Sequence, residues 1–182
     1  MEYTDGIVSF TRILEPGQFG FAESKLLYSH AFTADERREP AEINLLLGSE
    51  VFHYYLITHY GQPAGLVALW KFDTFVYVEH FAVSEQLRNK KIGERAMKLL
   101  CNNMEKPLIL EAELPTNEFA LRRLGFYKRQ GFNILSEDYL QPAYGAAKQP
   151  VKMLLLGNHL FSDEETSAII SLIKTKVFNL QA

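Results

Sequence analysis

Residues 75–83 read FVYVEHFAV, a run that is apolar on both alternating sets of positions. Side chains of a strand alternate between the two sides of a sheet. A strand apolar on both sides has to be covered from above and below. The rest of the chain must therefore supply layers on both faces. Directly after this run come a polar loop, a helical stretch over Lys91–Met104 and a second apolar run, PLILEAE, over Pro107–Glu113. A strand-helix-strand unit of this kind favours a mixed sheet with helices on both faces.

The remaining elements fit round that unit. Residues 7–14 read as a strand, Phe19–Phe32 as a helix, and Pro40–Leu47 as a shorter helix joined to it by the charged ADERRE stretch. Two strand runs flank Gly61–Gln62, a hairpin signal. Thr116 or Asn117 caps a helix that runs to Gln130 and stops at Gly131. FNIL is a short strand, followed by a turn-rich loop over 137–150 and a last strand, VKMLLLG. Ser162 and Glu165 form a capping box that opens a final helix over 163–178. The fold class expected is α/β (α+β): a mixed, mostly antiparallel central sheet of about seven strands with helices on both faces. Residues 1–182 read as one domain with an added C-terminal helix.

Composition narrows the function. The net charge is −3 and no long basic run occurs, which argues against a nucleic-acid partner. One cysteine, Cys101, excludes an internal disulfide framework. His30, His53, His59 and His159 have no metal-ligand spacing, so no metal is expected. No apolar stretch reaches a membrane span and no signal core opens the chain, so the cytoplasm is the expected location.

The loop after the central strand carries Arg88, Asn89, Lys90, Lys91, Ile92, Gly93 and Glu94. It leads from a buried strand into a helix, whose first N–H groups and dipole attract anions. Cations at that end oppose the dipole, and a bound anion would answer for them. The alternative is a solvated basic first turn with a glycine for packing.

Two motifs go further. Arg88-Asn-Lys-Lys91-Ile-Gly93 resembles the cofactor motif of the GNAT superfamily of acyl-CoA-dependent N-acetyltransferases. Arg122-Arg-Leu-Gly-Phe-Tyr127-Lys-Arg-Gln-Gly131-Phe132 resembles the helix that ends that family's core. The likeness covers Phe19–Gly157, and Tyr139-Leu-Gln-Pro142-Ala-Tyr144 resembles a loop of one bacterial branch. Lys91 departs from the pattern, standing where the family has its first glycine. The resemblance implies acetyl-CoA (coenzyme A) as co-substrate, and a bulged central strand that splays from its neighbour. Phe81, Ala82 and Val83 would bond the pantetheine amides through their backbone. Residues 88–94, with Asn117, Arg123 and Tyr127, would complete the cofactor site, Tyr127 lying near the thioester sulfur.

The implied reaction passes an acetyl (acyl) group to a primary amine by direct attack in a ternary complex. It needs a base, a polarised carbonyl and an acid for the leaving thiolate. Glu79 is the first candidate base, since burial raises a carboxyl pKa unless a cation pairs with it. His80 is the second, and the two point to opposite faces of a regular strand. Glu111 and Glu113 share a face of the next strand, where they either bind a cationic acceptor or act through a water. Tyr127 is the candidate acid. His80, Glu111 and Tyr139 are expected to touch the acceptor, a small-molecule or peptide amine. Tyr144, Glu36, Arg37 and Arg38 are further wall candidates. Arg122 is the expected partner of Glu118. Cys101 is expected to be a buried helix residue. The competing reading is a non-catalytic acyl-CoA-binding module; either form is a monomer or a homodimer.

Overall fold

A computed structural model describes residues 3–87 and 89–178. In chain order the elements are β1 (Tyr3–Thr4), β2 (Val8–Ile13), α1 (Phe21–Ala31), α2 (Pro40–Leu46), β3 (Phe52–His59), β4 (Gln62–Lys71), β5 (Val76–Val83), α3 (Ile92–Asn103), β6 (Leu108–Glu113), α4 (Glu118–Arg129), β7 (Asn133–Gln141), β8 (Val151–Gly157) and α5 (Asp163–Ile173). A short 3₁₀ turn, Glu85–Leu87, follows β5, and a π-turn, Lys174–Phe178, follows α5. The strands form one sheet of eight in the order β1-β2-β3-β4-β5-β6-β8-β7. Every neighbouring pair is antiparallel except β5 and β6.

The doubly apolar β5 is covered as its sequence demands. On one face, Ile92, Met97 and Leu100 of α3 and Leu124 and Tyr127 of α4 pack over Val76 and Val78. On the other, Phe21 and Tyr28 of α1, Ile43 of α2 and Ile169 and Ile173 of α5 pack in the cluster that holds Tyr77. Each such side chain, fully buried, contributes roughly 1.5–3 kcal/mol. Asn117 caps α4 by accepting the Ala120 N–H at 2.9 Å. Ser162 and Glu165 form the expected capping box.

Three details differ from the sequence reading. The sheet has eight strands, because Tyr3–Thr4 pairs with Ser9–Phe10. The hairpin turns on Tyr60 and Gly61, one residue earlier than expected, both with positive φ (49° and 77°). That is the backbone a two-residue hairpin favours. And β7 continues to Gln141, through residues expected in a loop. Its register against β8 shifts at Ile134/Ser136 and again at Ser136/Tyr139. Those irregularities, in a polar Ser-Glu-Asp stretch, hide the strand's alternation from the sequence.

Candidate active site

Two irregularities of β5 open the molecule. β5 pairs with β6 only at Val76, Tyr77 and Val78. Beyond Val78 its β6-facing edge has no strand partner among the described residues. On its other side the register against β4 slips, with Leu69 opposite Val78 and Ala68 opposite His80. Glu79 is the extra residue, a β-bulge that re-aims the side chains around it. The expected bulge and splay are both present. A cleft of about 680 Å³ occupies the gap, with Phe81, Ala82, Val83, Glu111, Glu113, Arg123, Tyr127 and Gln141 among its lining residues.

The bulge overturns the expected placing of Glu79 and His80 on opposite faces. Both turn to the side covered by α1 and α5. Glu79 meets Trp70 and Arg38. The His80 ring lies 4.7 Å from that of Tyr28 and 4.6 Å from that of Phe32. Tyr28 and Trp70 belong to one apolar cluster on that side.

The expected rise in the Glu79 pKa is also corrected. Its Oε1 accepts from Arg38 Nε at 2.8 Å and its Oε2 from Trp70 Nε1 at 2.7 Å. Burial is the largest influence and acts to raise the pKa, but the Arg38 guanidinium, His80 and the Trp70 N–H together outweigh it, and the carboxyl sits below its ordinary value of 4.5. Arg38 is itself 3% exposed, lies over the Trp70 and Tyr144 rings, and donates from Nη2 to the Val177 carbonyl at 2.7 Å. It ties the α1–α2 connection, β5 and the C-terminal π-turn together. Removing one member of such a pair leaves a buried charge without compensation.

His80 is buried too, and burial holds its pKa below the ordinary value against the opposing pull of Glu79. Its Nε2 lies 3.0 Å from the Glu36 carbonyl, which only accepts, so Nε2 carries the proton of the neutral ring.

Glu111 is the opposite case. It lines the cleft from β6, and burial pushes its pKa up to about 7. The hydroxyls of Tyr139 and Tyr77 stand near enough to oppose that rise, without reaching hydrogen-bond geometry. No cation answers it as Arg38 answers Glu79. Glu111 Oε1, Gln141 Oε1 and the hydroxyls of Tyr77, Tyr139 and Tyr144 are all buried without a hydrogen-bond partner. Gln141 is 2% exposed and reaches the cleft; Tyr139 lies behind it rather than in its wall.

Tyr127, from α4, lines the cleft from the other side. Burial pushes its phenol up to about 12, Arg123 acting against the rise, so it remains a proton donor across the physiological range. Arg123 and Glu113 form an ion pair at 2.8 Å in the same wall. Arg122 pairs with Glu118 at 3.7 Å in solvent, as expected.

The loop after β5 leads into α3 without a side-chain cap, so the N–H groups of Ile92, Gly93 and Glu94 have no intrahelical partner. Lys91, the N-cap, has φ 57° and Asn89 has φ 66°. That left-handed backbone suits glycine and costs an ordinary residue about 1–2 kcal/mol. The preference for glycine at position 91 thus has a physical cause, and Lys91 occupies it under strain. A Cβ added at Gly93 would meet Phe126 and Val83 at 3.9 Å, ordinary contact, so the protein around it does not demand glycine. Arg88 lies outside the described residues. Residues 89–94 and Asn117 flank the cleft rather than line it.

Cys101 is half-buried and burial raises its thiol pKa, which suits packing rather than nucleophilic chemistry. Among the described residues no group of three or more His, Cys, Asp or Glu could hold a metal ion, and no helix is long and apolar enough to cross a membrane. Two members of the site were missed in the sequence. Arg38, taken only as a wall candidate, gives no sign of pairing with a residue 41 positions away. Gln141 falls in a stretch read as loop.

The sheet splits beside a bulged central strand and an uncapped helix start follows that strand, the features that the resemblance to the GNAT superfamily implied. Comparison with known proteins agrees. Residues 21–132 match the acetyltransferase (GNAT) family. A GNAT-family structure from Bacteroides thetaiotaomicron is 31% identical, with 95% of this chain and 99% of that one covered and a TM-score of 0.88. A GNAT acetyltransferase from Elizabethkingia anophelis with acetyl-CoA bound is 20% identical, covering 86% of this chain and all of that one at a TM-score of 0.58. A Bacillus subtilis acetyltransferase in complex with CoA is 17% identical, covering 85% and 99% at 0.56. No curated protein matches the sequence. The chain belongs to the GNAT family of acetyltransferases.

Proposed function

We propose that this chain passes an acetyl group from acetyl-CoA to a primary amine by direct attack in a ternary complex, with Glu111 as base and Tyr127 as acid. The observation that carries the reading is the pairing of these two groups across one cleft, a carboxyl at about 7 and a phenol at about 12. A base acts best with a pKa near the working pH, and an acid must hold its proton there. Glu79, held ionised by Arg38, meets neither need and serves to fix the bulge.

The cleft fits the cofactor. The unpaired edge of β5 at Phe81–Val83 offers backbone groups to the pantetheine amides. The N–H groups of Ile92, Gly93 and Glu94, with Asn89, Lys90 and Lys91 before them, offer a cradle for phosphates. Asn117 and Arg123 flank it. Acetyl-CoA supplies a thioester, whose acyl group passes to the amine and whose sulfur leaves. Glu111 takes the proton that the nitrogen loses as its bond to the acyl carbon forms. Tyr127 gives a proton to the departing sulfur. The cleft holds the acceptor beside the thioester, and such positioning supplies much of the rate.

The test combines binding with turnover. Acetyl-CoA should raise the melting temperature, and thiol should be released with amines. Tyr127→Phe should lower turnover by roughly 10²-fold or more, as loss of a positioned acid does, with affinity for acetyl-CoA kept. Equal losses in both would count against the acid role. Binding without thiol release toward any amine would make the chain a non-catalytic acyl-CoA-binding module instead.

A further inference from the structure

The cleft carries a charge bias that acetyl transfer as such does not require. Among the described residues it is lined by five glutamates, Glu36, Glu79, Glu85, Glu111 and Glu113, and by no Lys or Arg other than Arg123. Arg123 is taken by Glu113 at 2.8 Å, and Glu79 is answered by Arg38 from behind. Glu85 lies in the 3₁₀ turn past β5 and has a partner of its own, which leaves Glu36 and Glu111 on the wall between α1 and β6. Glu36 is held in place, its Oε2 accepting from Thr33 N at 3.3 Å and Thr33 Oγ1 at 2.9 Å. Its charge is felt at Glu111. An acceptor that carried a carboxylate would meet two acids there and no Lys or Arg, with His30 of α1 as the basic side chain of that wall.

A second observation is independent of charge. Gln141 is 2% exposed, lines the cleft, and its Oε1 has no hydrogen-bond partner; Glu111 Oε1 is in the same condition. Both are acceptor oxygens, and buried acceptors without donors are costly. What they ask of a ligand is N–H groups. An ammonium head brings three donors and no acceptor. The hydroxyls of Tyr77 and Tyr139 stand beside Glu111, short of hydrogen-bond geometry, and can donate or accept as the ligand requires.

Resting on the transfer reading above, we propose that the acceptor is a small diamine or polyamine, its reacting amine seated at Glu111 and Gln141 and a second ammonium held by Glu36. The methylenes between the two nitrogens lie against Leu27, Phe32 and Met153, apolar members of the same wall. The second charge binds substrate without entering the chemistry, so it shows in KM.

The test compares three amines of equal chain length with the full protein and acetyl-CoA: butylamine, butane-1,4-diamine and 4-aminobutanoate. The diamine should exceed butylamine about tenfold or more in kcat/KM, mainly through KM, and the amino acid should fall below both. Glu36→Gln should shrink the diamine advantage to about threefold or less. By calorimetry it should weaken diamine binding to the CoA-loaded protein while CoA affinity is kept. Equal rates for diamine and butylamine, a preference for 4-aminobutanoate, or an unchanged advantage in Glu36→Gln would each overturn the proposal. Acetylation of other amines but none of these three would overturn it and leave the transfer reading standing. Absence of thiol release with every amine would overturn both.

Discussion

The far ends of β5 and β6 part round one cleft, and each carries a carboxylate. On β5, Glu79 is buried with Arg38 at 2.8 Å and Trp70 at 2.7 Å, and it sits below its ordinary pKa. On β6, Glu111 is partly exposed in the cleft wall, with its Oε1 buried near Tyr77 and Tyr139 and no cation against it, and it sits at about 7. Burial acts to raise both. What separates them is chiefly one guanidinium, brought from the α1–α2 connection, with the Trp70 N–H beside it. Burial alone therefore does not mark a catalytic acid or base; the sign of the shift depends on what else is buried beside the group. The paired carboxylate holds the bulge, and the unpaired one is left able to change protonation at neutral pH.

Removing the guanidinium should erase the contrast and give the largest effect. Arg38→Ala leaves Glu79 buried and unanswered and takes away contacts with Trp70 and Tyr144, so urea unfolding should show a loss of about 3–5 kcal/mol. A loss under about 1 kcal/mol, the size of an exposed pair, would mean that Arg38 and Glu79 do not form a buried lock.

The two carboxylates should also pull stability in opposite directions with pH. Folded Glu111 keeps its proton up to about 7, whereas an unfolded glutamate loses it near 4.5. The folded state binds the extra proton in that window, so this group's contribution declines as pH rises through it, by at most roughly 1.4 kcal/mol per pH unit. Glu79 has a lowered pKa; its contribution is present above 4.5 and is lost as pH falls through its folded value. In urea melts at stepped pH, Glu111→Gln should remove a decline between about 5 and 7. Parallel curves for variant and wild type would place the Glu111 pKa elsewhere.

The smallest effect belongs to the cleft's other end, which touches neither carboxylate. Lys91→Gly relieves a left-handed N-cap but loosens the unfolded chain, so thermal or urea melts should show a net gain of about 0.5–1 kcal/mol. A destabilised variant would mean that the Lys91 side chain holds the loop.

Much of this was legible in the residues. The two-sided apolarity of Phe75–Val83 called for cover on both faces, and α3 and α4 supply one, α1, α2 and α5 the other. The strand-helix-strand unit called for a mixed sheet, and β5–β6 is its parallel pair. Glu111 and Tyr127 were both candidates. What the sequence hid was long-range. Nothing near Glu79 announces that Arg38 will reach it from 41 residues away. A period of two set Glu79 and His80 apart, and one inserted residue brought them to the same side. Gln141 was lost because bulges broke the alternation of β7. Pattern reading fails where a strand is irregular, and here the irregular strands are the ones that make the site.

The central claim is that Glu111, and not Glu79, takes the proton. The pH dependence of kcat/KM for acetyl transfer tests it most directly, measured for wild type, Glu111→Gln and Glu79→Gln. The wild-type profile should rise through an inflection near 7. That inflection should vanish in Glu111→Gln and survive in Glu79→Gln. An inflection that persists unchanged in Glu111→Gln and disappears in Glu79→Gln would contradict the account.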